Sequence, residues 1–326
     1  MRVGVNESSN TFPLLRLLAD GEFRSGAALS AALGVPASGI RAEVDAMERL
    51  GVVVQKVPGQ GYRLGEALDL LDRRQLRRAM RGVFALEIVD RCSSTNSVLL
   101  ERARSETGHG LALACERQIT GRGRRGKLWH SGIGTDLTFS VLWRFSRGAE
   151  ALAGLSLAVG VALVRALARC GYAGVQLKWP NDLMLSGRKL GGVLVEVTGG
   201  HGDPCAAVIG VGINVHWNAR RAAGVDQPAT GLSGHGVSGP TRSELLAALL
   251  LELHAALAQF TLSGFGSFRG EWLAYHAWQG RRVRLQVAGD DVAEGEAVGV
   301  AEDGALLLRS AQGVNRVHSG ELRLAV

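Results

Sequence analysis

Four cationic side chains stand on a glycine-rich backbone at Gly121-Arg122-Gly123-Arg124-Arg125-Gly126-Lys127-Leu128-Trp129-His130. Guanidinium forks and an ammonium supply fixed positive charge and directed donors for a phosphate or carboxylate. The glycines let the backbone approach a ligand closely. The spacing nearly fits a P-loop, with Gly121, Gly126 and Lys127 in place. That motif needs a hydroxyl after the lysine to hold Mg²⁺, and a helix running on from the loop. Leu128 offers no such oxygen, and Trp129-His130-Ser131-Gly132-Ile133-Gly134 is poor helix material. The other readings are a solvated basic loop or an arginine–glycine segment touching RNA. The flanks decide between them. Leu111 to Cys115 reads as a short buried strand, and Leu137 to Trp143 alternates at the period of two of a half-buried strand. A basic loop pinned between core strands suits a lid over an anionic small molecule.

Further candidates surround it. Ser93-Ser94-Thr95-Asn96 precedes a helix, so its hydroxyls either cap that helix or offer donors to a urea or carboxylate. Lys178-Trp179-Pro180-Asn181-Asp182-Leu183 sets a lysine, an amide and a carboxylate on a turn stiffened by proline. Arg188 to Glu196 reads as a strand opening with Lys189, and Val208 to Val215 as another with Gly210 and Gly212 on one face. Glycine weakens a strand unless something must come close, so this pair leaves room for a ligand lying flat on the sheet.

The chain has 326 residues, 46% hydrophobic and 21% charged, with a formal charge of +7. That is globular material with length for two or three domains. No uncharged apolar run looks long enough to span a bilayer, and the first residues lack a basic region followed by a hydrophobic stretch, so no membrane partner is expected. Cys92, Cys115, Cys170 and Cys205 form no CxxC pair, and no histidine pair has metal-ligand spacing. They read as buried thiols in a reducing, cytoplasmic setting, and no metal site is expected beyond Mg²⁺ arriving with a nucleotide.

The elements fall into four stretches. Thr11 to Leu64 reads as a winged helix-turn-helix, with helices over Phe12–Leu18, from Ser25 to Leu33 and from Ser38 to Leu50, then a hairpin wing from Val52 to Leu64. Residues 1–65 hold seven basic against six acidic side chains, and the third helix sets Arg41 and Arg49 against Glu43, Asp45 and Glu48. Phosphate attraction supplies most non-specific DNA affinity, so this face is a weak DNA binder, with Ser38 and Arg41 as candidate contacts. A role in packing or dimer contacts is the competing reading. A basic hinge helix, Asp72 to Arg81, comes next. The central region includes an all-round apolar helix from Leu152 to Ala168, a long loop from Asn218 to Gly239, and a capping box, Thr241-Arg242-Ser243-Glu244, opening a helix to Phe260. From Gly280 to Val326, short strands suggest a small β-barrel.

Four motifs in this order, Gly121–Gly126 with Trp129, Lys178–Leu183, Lys189–Gly192 and Gly210–Asn214, resemble those of bacterial biotin protein ligases. The resemblance covers nearly the whole length. Gly21–Gly26 and Val57–Tyr62 are similar to the bifunctional kind that also represses the biotin operon, and Gly304–Leu308 with Gly320–Leu322 to that family's SH3-like domain. It implies an α+β chain: a winged helix-turn-helix over residues 1–65, a linker helix over 66–82, a class II aminoacyl-tRNA-synthetase-like mixed sheet with flanking helices over 83–279, and an SH3-like barrel over 280–326.

The resemblance also implies the reaction. Biotin and Mg-ATP give biotinoyl-5′-AMP, and the acyl group passes to one lysine of the biotin carboxyl carrier protein of acetyl-CoA carboxylase. Ser94, Thr95, Asn96 and Gln118 would hold the ring system, with Arg122, Gly123, Arg124, Trp129, Lys189, Gly192, Gly210 and Gly212 completing the biotin site. Arg124, Arg125, Lys127, Asn181, Lys189 and Asn214 would serve ATP and the adenylate. Arg122, Arg124 and Lys189 would neutralise two repelling anions, and Asp182 would orient the acceptor amine. Biotin operator DNA and a second copy of the chain are further implied partners. A lipoate or octanoate ligase shares the scaffold, and a ligand-sensing repressor without catalysis is the other alternative. The chain departs from the family pattern at several points. Lys127 stands for an Arg and His130 for an aromatic, and Gln227-Pro228-Ala229 lacks the aromatic that covers adenine, leaving Trp217 as substitute. Ala325 stands for an Arg, so a barrel-to-site contact is expected to be missing.

Overall fold

Local signals set where the helices begin. A computed structural model of the chain describes residues 10–104, 108–199, 203–217, 225, 227–235, 239–286 and 292–325. Helices α1 (Thr11–Leu18), α2 (Gly26–Leu33) and α3 (Ala37–Arg49) precede a hairpin of β1 (Val54–Val57) and β2 (Gly61–Leu64). The Ser25 hydroxyl accepts from Ala28 N, as an N-cap does, and Gly34 ends α2 at φ +67°. Phe12, Leu15, Leu18, Ile40, Val44 and Met47 close one small core. The hairpin begins later than the apolar run suggests, and Val53 stays exposed.

Helix α4 (Arg73–Ala79) is capped by Asp72 and keeps its arginines in solvent. A seven-stranded sheet follows, in the order β3 (Ala85–Cys92), β4 (Leu111–Gln118), β5 (Asp136–Phe145), β9 (Cys205–Asn214), β8 (Arg188–Thr198), β7 (Asp182–Leu185), β6 (Val175–Lys178). Only β3 and β4 run parallel. One face carries α6 (Leu155–Arg169), α7 (Arg242–Ser263) and α8 (Gly266–Tyr275), and the other α5 (Thr95–Ala103). Five antiparallel strands, β10 (Arg282–Gln286), β11 (Val292–Val300), β12 (Leu306–Ser310), β13 (Gly313–Val317) and β14 (Glu321–Leu324), form the C-terminal sheet.

One expectation changes. Strand β5 is buried on both faces, not half-exposed. Leu137, Phe139, Val141, Trp143 and Phe145 join the main apolar core, while Thr138 and Ser140 on the other face are buried in hydrogen bonds. Alternation here separates an apolar interior from a polar one. Ala149–Arg169 and Arg242–Ser263 are long and apolar enough to cross a membrane by length and composition, although charges such as Arg165 and Glu252 interrupt them. Both pack in the core, α6 against α7, so burial inside the fold accounts for their apolarity. The capping box at Thr241 and Glu244 forms as read. Much of the long 218–239 loop lies outside the described residues, so its expected mobility is not addressed.

All four cysteines are free thiols. The neighbouring Cys92 thiol, with burial, holds the Cys115 thiol far above its ordinary range. His276, just after α8, is also buried, with Nδ1 3.1 Å from Gln279 Oε1 and its Nε2 without a partner. Burial lowers its pKa, opposed by the Gln279 contact. The folded protein therefore keeps a neutral imidazole where the unfolded chain takes up a proton near pH ~6.5. Stability from this group is full above that pH and is lost as pH falls below it. Urea unfolding is expected to show a lower midpoint at pH 5.5 than at pH 7, with part of the difference removed in His276→Phe. An unchanged difference in that variant would assign the effect elsewhere.

Candidate active site

The polar face of the sheet holds a cavity of about 1150 Å³. Its floor begins at α5. Ser94 occupies the N-cap position but makes no side-chain capping bond. Gln118 Oε1 instead accepts from Thr95 N at 2.7 Å and Thr95 Oγ1 at 3.0 Å. Ser140 Oγ lies 2.6 Å from both Thr95 Oγ1 and Asn96 Oδ1. Asn96 Nδ2 donates to Glu196 Oε2 at 2.8 Å. A plain cap needs one hydroxyl, whereas this network spends several polar groups to fix the helix start against the sheet.

The glycine pair serves side chains of this same protein. A Cβ on Gly210 would collide with the Asn96 amide, and one on Gly212 would lie 2.6 Å from the Trp129 indole. Gly212 thus makes room for Trp129, which packs down on β9 and lines the cavity with its N–H buried and unpartnered. The room expected for a flat ligand is thus taken up in part by Asn96 and Trp129.

The basic loop folds back on itself through Gly123 N to Lys127 O and Trp129 N to Gly121 O, around a 3₁₀ turn at Arg124–Gly126. No helix runs on from it, as the P-loop argument required. Each of three cations reaches a different element. Arg122 Nη2 meets Glu196 on β8 at 3.2 Å, and Arg124 Nη1 donates to Asn181 Oδ1 at 3.3 Å. Lys127 Nζ meets Glu321 on β14 at 2.9 Å. Burial lowers the Arg124 pKa, with Arg125 acting the same way. The barrel still reaches the site, by contacts other than the one expected from position 325: the Lys127–Glu321 pair, and Trp179 Nε1 donating to Gly304 O at 3.0 Å.

The Trp179-Pro180-Asn181 turn joins β6 to β7 and places Lys178 opposite Asp182. Asp182 Oδ2 is 2.7 Å from Lys178 Nζ, and Oδ1 is 2.7 Å from Lys189 Nζ. Burial pushes the Asp182 pKa up, but Lys189 and Lys178 outweigh it and leave the carboxyl below its usual value. It is an anion held between two ammoniums, so the cluster carries net positive charge. Lys189 is clamped by its own backbone, its N–H to Pro228 O and its C=O from Thr230 N. Asn214 Nδ2 donates to Thr230 O, and Gly192 lies beside Asp182.

All the candidate substrate residues, from Ser94, Thr95, Asn96 and Gln118 to Asn214, line this one cavity. Ser38 and Arg41 sit far along the sequence on the exposed side of α3. Lys178, read from the sequence only as part of the stiff turn, lines the cavity too; sequence reasoning missed Thr138, Leu194 and Arg49 to Val53. It also missed Ser140 and Glu196, which bond to Asn96. Only the period-two polar positions of β5 carried a signal for Thr138 and Ser140. Among the described residues, no group of three His, Cys, Asp or Glu is placed to hold a metal ion.

A mixed sheet whose polar face sets glycines and paired lysines under a cationic flap defines the class of the Biotin/lipoate A/B protein ligase family, whose model matches residues 88–214. The Biotin protein ligase C terminal domain matches residues 280–322. The chain is 38% identical to the Bifunctional ligase/repressor BirA of Escherichia coli, over 97% of this chain and 98% of that one. It is 34% identical to the Biotin–[acetyl-CoA-carboxylase] ligase of Mycobacterium tuberculosis, over 72% and 86% of the two chains. Biotin protein ligase from Aquifex aeolicus, solved with biotin and ATP, superposes with a TM-score of 0.62 at 28% identity, over 74% of this chain and 99% of that one. The chain belongs to the biotin protein ligase family.

Proposed function

We propose that the protein activates biotin with Mg-ATP to biotinoyl-5′-AMP and transfers the biotinoyl group to one lysine of the biotin carboxyl carrier protein of acetyl-CoA carboxylase. The observation that carries the reading is the convergence of Arg122, Arg124, Lys189 and Lys178 on one glycine-floored cavity. In the first step the biotin carboxylate attacks the α-phosphorus of ATP and pyrophosphate leaves. Two anions must meet, and fixed cations in a water-poor site lower that barrier. In the second step the acceptor amine attacks the acyl carbon and AMP leaves. The protein itself need supply no nucleophile.

Ser94, Thr95 and Gln118 hold the biotin ring system, while Asn96, committed to Ser140 and Glu196, fixes the helix start behind it. Arg122, Gly123, Arg124 and Trp129 close over the substrate, Gly192 lines the biotin site, and Gly210 and Gly212 admit the Asn96 and Trp129 side chains that shape it. Arg124, Arg125, Lys127, Asn181, Lys189 and Asn214 serve the nucleotide, with Trp217 beside the adenine. Asp182 holds Lys189 and Lys178 in place and, with Asn181, orients the acceptor amine. Of the carboxylates that line the cavity, Asp182 and Glu321 are paired with cations, which suits Mg²⁺ carried mainly by the substrate phosphates.

Residues 1–65 form a winged helix-turn-helix, 66–82 a linker, 83–279 the synthetase-like catalytic domain and 280–326 an SH3-like domain. The first of these represses biotin synthesis genes by binding operator DNA in a biotin-dependent way. Ser38 and Arg41 are exposed on α3, and Lys56 pairs with Asp45 and Glu48, which offsets the acidity of that helix. Beyond Gly192, Val193 bonds Asn181 through both its N–H and its C=O, and the β8 residues from Val195 to Thr198 have no β7 partner. This open edge suits pairing with a second copy of the chain. Free thiols fit a reducing cytoplasm.

Incubation with biotin, Mg-ATP and a carrier domain is expected to add one biotinoyl group to that domain, read by mass. Lipoate in place of biotin is expected to give no product; faster transfer of lipoate would overturn the substrate assignment. A salt-dependent, sequence-selective DNA shift that requires biotinoyl-AMP tests the repressor role.

A further inference from the structure

A buried ion pair outside the cavity lining joins four distant segments. Arg242 opens α7 with no exposed surface. Its Nη1 lies 3.0 Å from Glu116 Oε2, and its Nε and Nη2 donate to Asp136 O at 3.1 and 2.7 Å. Its backbone N–H donates to the Asp69 carboxylate, and Nη1 also donates to Asp69 O. The second Glu116 oxygen accepts Leu71 N, and Ser243 Oγ accepts Asp72 N. Residues 69–72, which lead out of the N-terminal module, are thus seated on Arg242, Ser243 and Glu116.

The same groups reach the substrate cavity. Glu116 and Gln118 are two residues apart on β4, and Gln118 holds Thr95. The Asp136 carboxylate accepts Gly132 N at 3.0 Å and Ser131 Oγ at 3.3 Å, and Ser131 Oγ accepts Gln118 N at 3.3 Å. Ser131 follows the cationic flap directly, and Ile133 is buried in the core of the N-terminal module. A desolvated Arg–Glu pair is a poor source of stability compared with apolar packing of the same volume. Its directed hydrogen bonds instead fix geometry: the guanidinium donates to the Glu116 carboxylate and to the Asp69 and Asp136 carbonyls, while Glu116 accepts the Leu71 N–H.

We propose that Arg242 and Glu116 form a positioning pair that couples biotin at Gln118 and Thr95 to the seating of residues 69–72, and hence of the N-terminal module. The inference rests on the biotin reading of the site. Coupling of this kind is reciprocal, so seating of residues 69–72 tightens biotin binding by the same factor that biotin tightens the seating.

Hydrogen exchange of the full chain with and without biotin tests it, in the parent and in Asp69→Asn, which keeps the Arg242–Glu116 pair. Biotin is expected to slow exchange in the parent both at residues 94–118 and at 69–72. In Asp69→Asn the protection at 94–118 persists, the protection at 69–72 is lost, and the KM for biotin rises about fivefold at unchanged kcat. A purely structural role would lower unfolding stability without that split. Protection at 94–118 with none at 69–72 in the parent, or an unchanged KM in Asp69→Asn, overturns the coupling. Absence of biotin protection everywhere overturns the biotin reading itself, and the coupling with it. Arg242→Lys, which keeps the charge but loses the fork, is expected to reproduce the KM rise.

Discussion

Lys189→Met is expected to slow biotin-dependent ATP–pyrophosphate exchange by roughly 10²–10³-fold, the usual cost of removing one fixed electrostatic stabiliser. The loss falls on kcat, because the lysine acts where the carboxylate and α-phosphate are forced together. Its position is imposed from three sides: Asp182 at 2.7 Å, and the backbone bonds to Pro228 and Thr230. The variant leaves those backbone bonds intact, and Lys178 still neutralises Asp182 at 2.7 Å. The fold is therefore expected to survive, as a parent-like thermal midpoint will show. Lys189→Arg should recover part of the rate, since the charge returns with a different shape. An exchange rate within twofold of the parent in Lys189→Met would remove this residue from the chemistry.

The second large effect is on stability. Arg242→Met should lower unfolding free energy by about 3–5 kcal/mol, the range found when one partner of a buried pair is removed. The reason is what stays behind. Glu116 has no exposed surface, and the carbonyls of Asp69 and Asp136 lose their donors. Against a total stability of about 5–15 kcal/mol, that is a large share. Adding Glu116→Leu to the variant removes the stranded charge and should restore much of the loss, since an apolar pair of similar volume is often neutral. Urea unfolding of both variants measures this. A loss under about 1 kcal/mol in Arg242→Met would mean that water reaches Glu116 and that the pair is not the joint described.

Parts of the molecule that depend on neighbours in the chain were legible. Ser25 and Thr241 cap α2 and α7 as their spacing indicates, because a capping bond spans three residues. Ser94 looked like the same kind of residue and makes no capping bond. There the decisive partner, Gln118, lies 23 residues away from Thr95. The polar positions of β5 resemble a solvent face for a similar reason. A period of two says that two faces differ, and says nothing about what covers each one.

What the chain alone determined was the inventory: the cations of the flap, the lysines and carboxylate of the stiff turn, the glycines on β9, and the family to which their order points. Tertiary structure decided how these groups are spent. It paired Arg122 with Glu196, Lys127 with Glu321 and Asp182 with two lysines, and it filled the glycine gaps with Asn96 and Trp129. It also buried Arg242 against Glu116, where local pattern shows only the second residue of a capping box. Residue type sets the charge a group can carry. Which opposite charge lies within 3 Å, and how much water remains, depends on segments brought together only by folding.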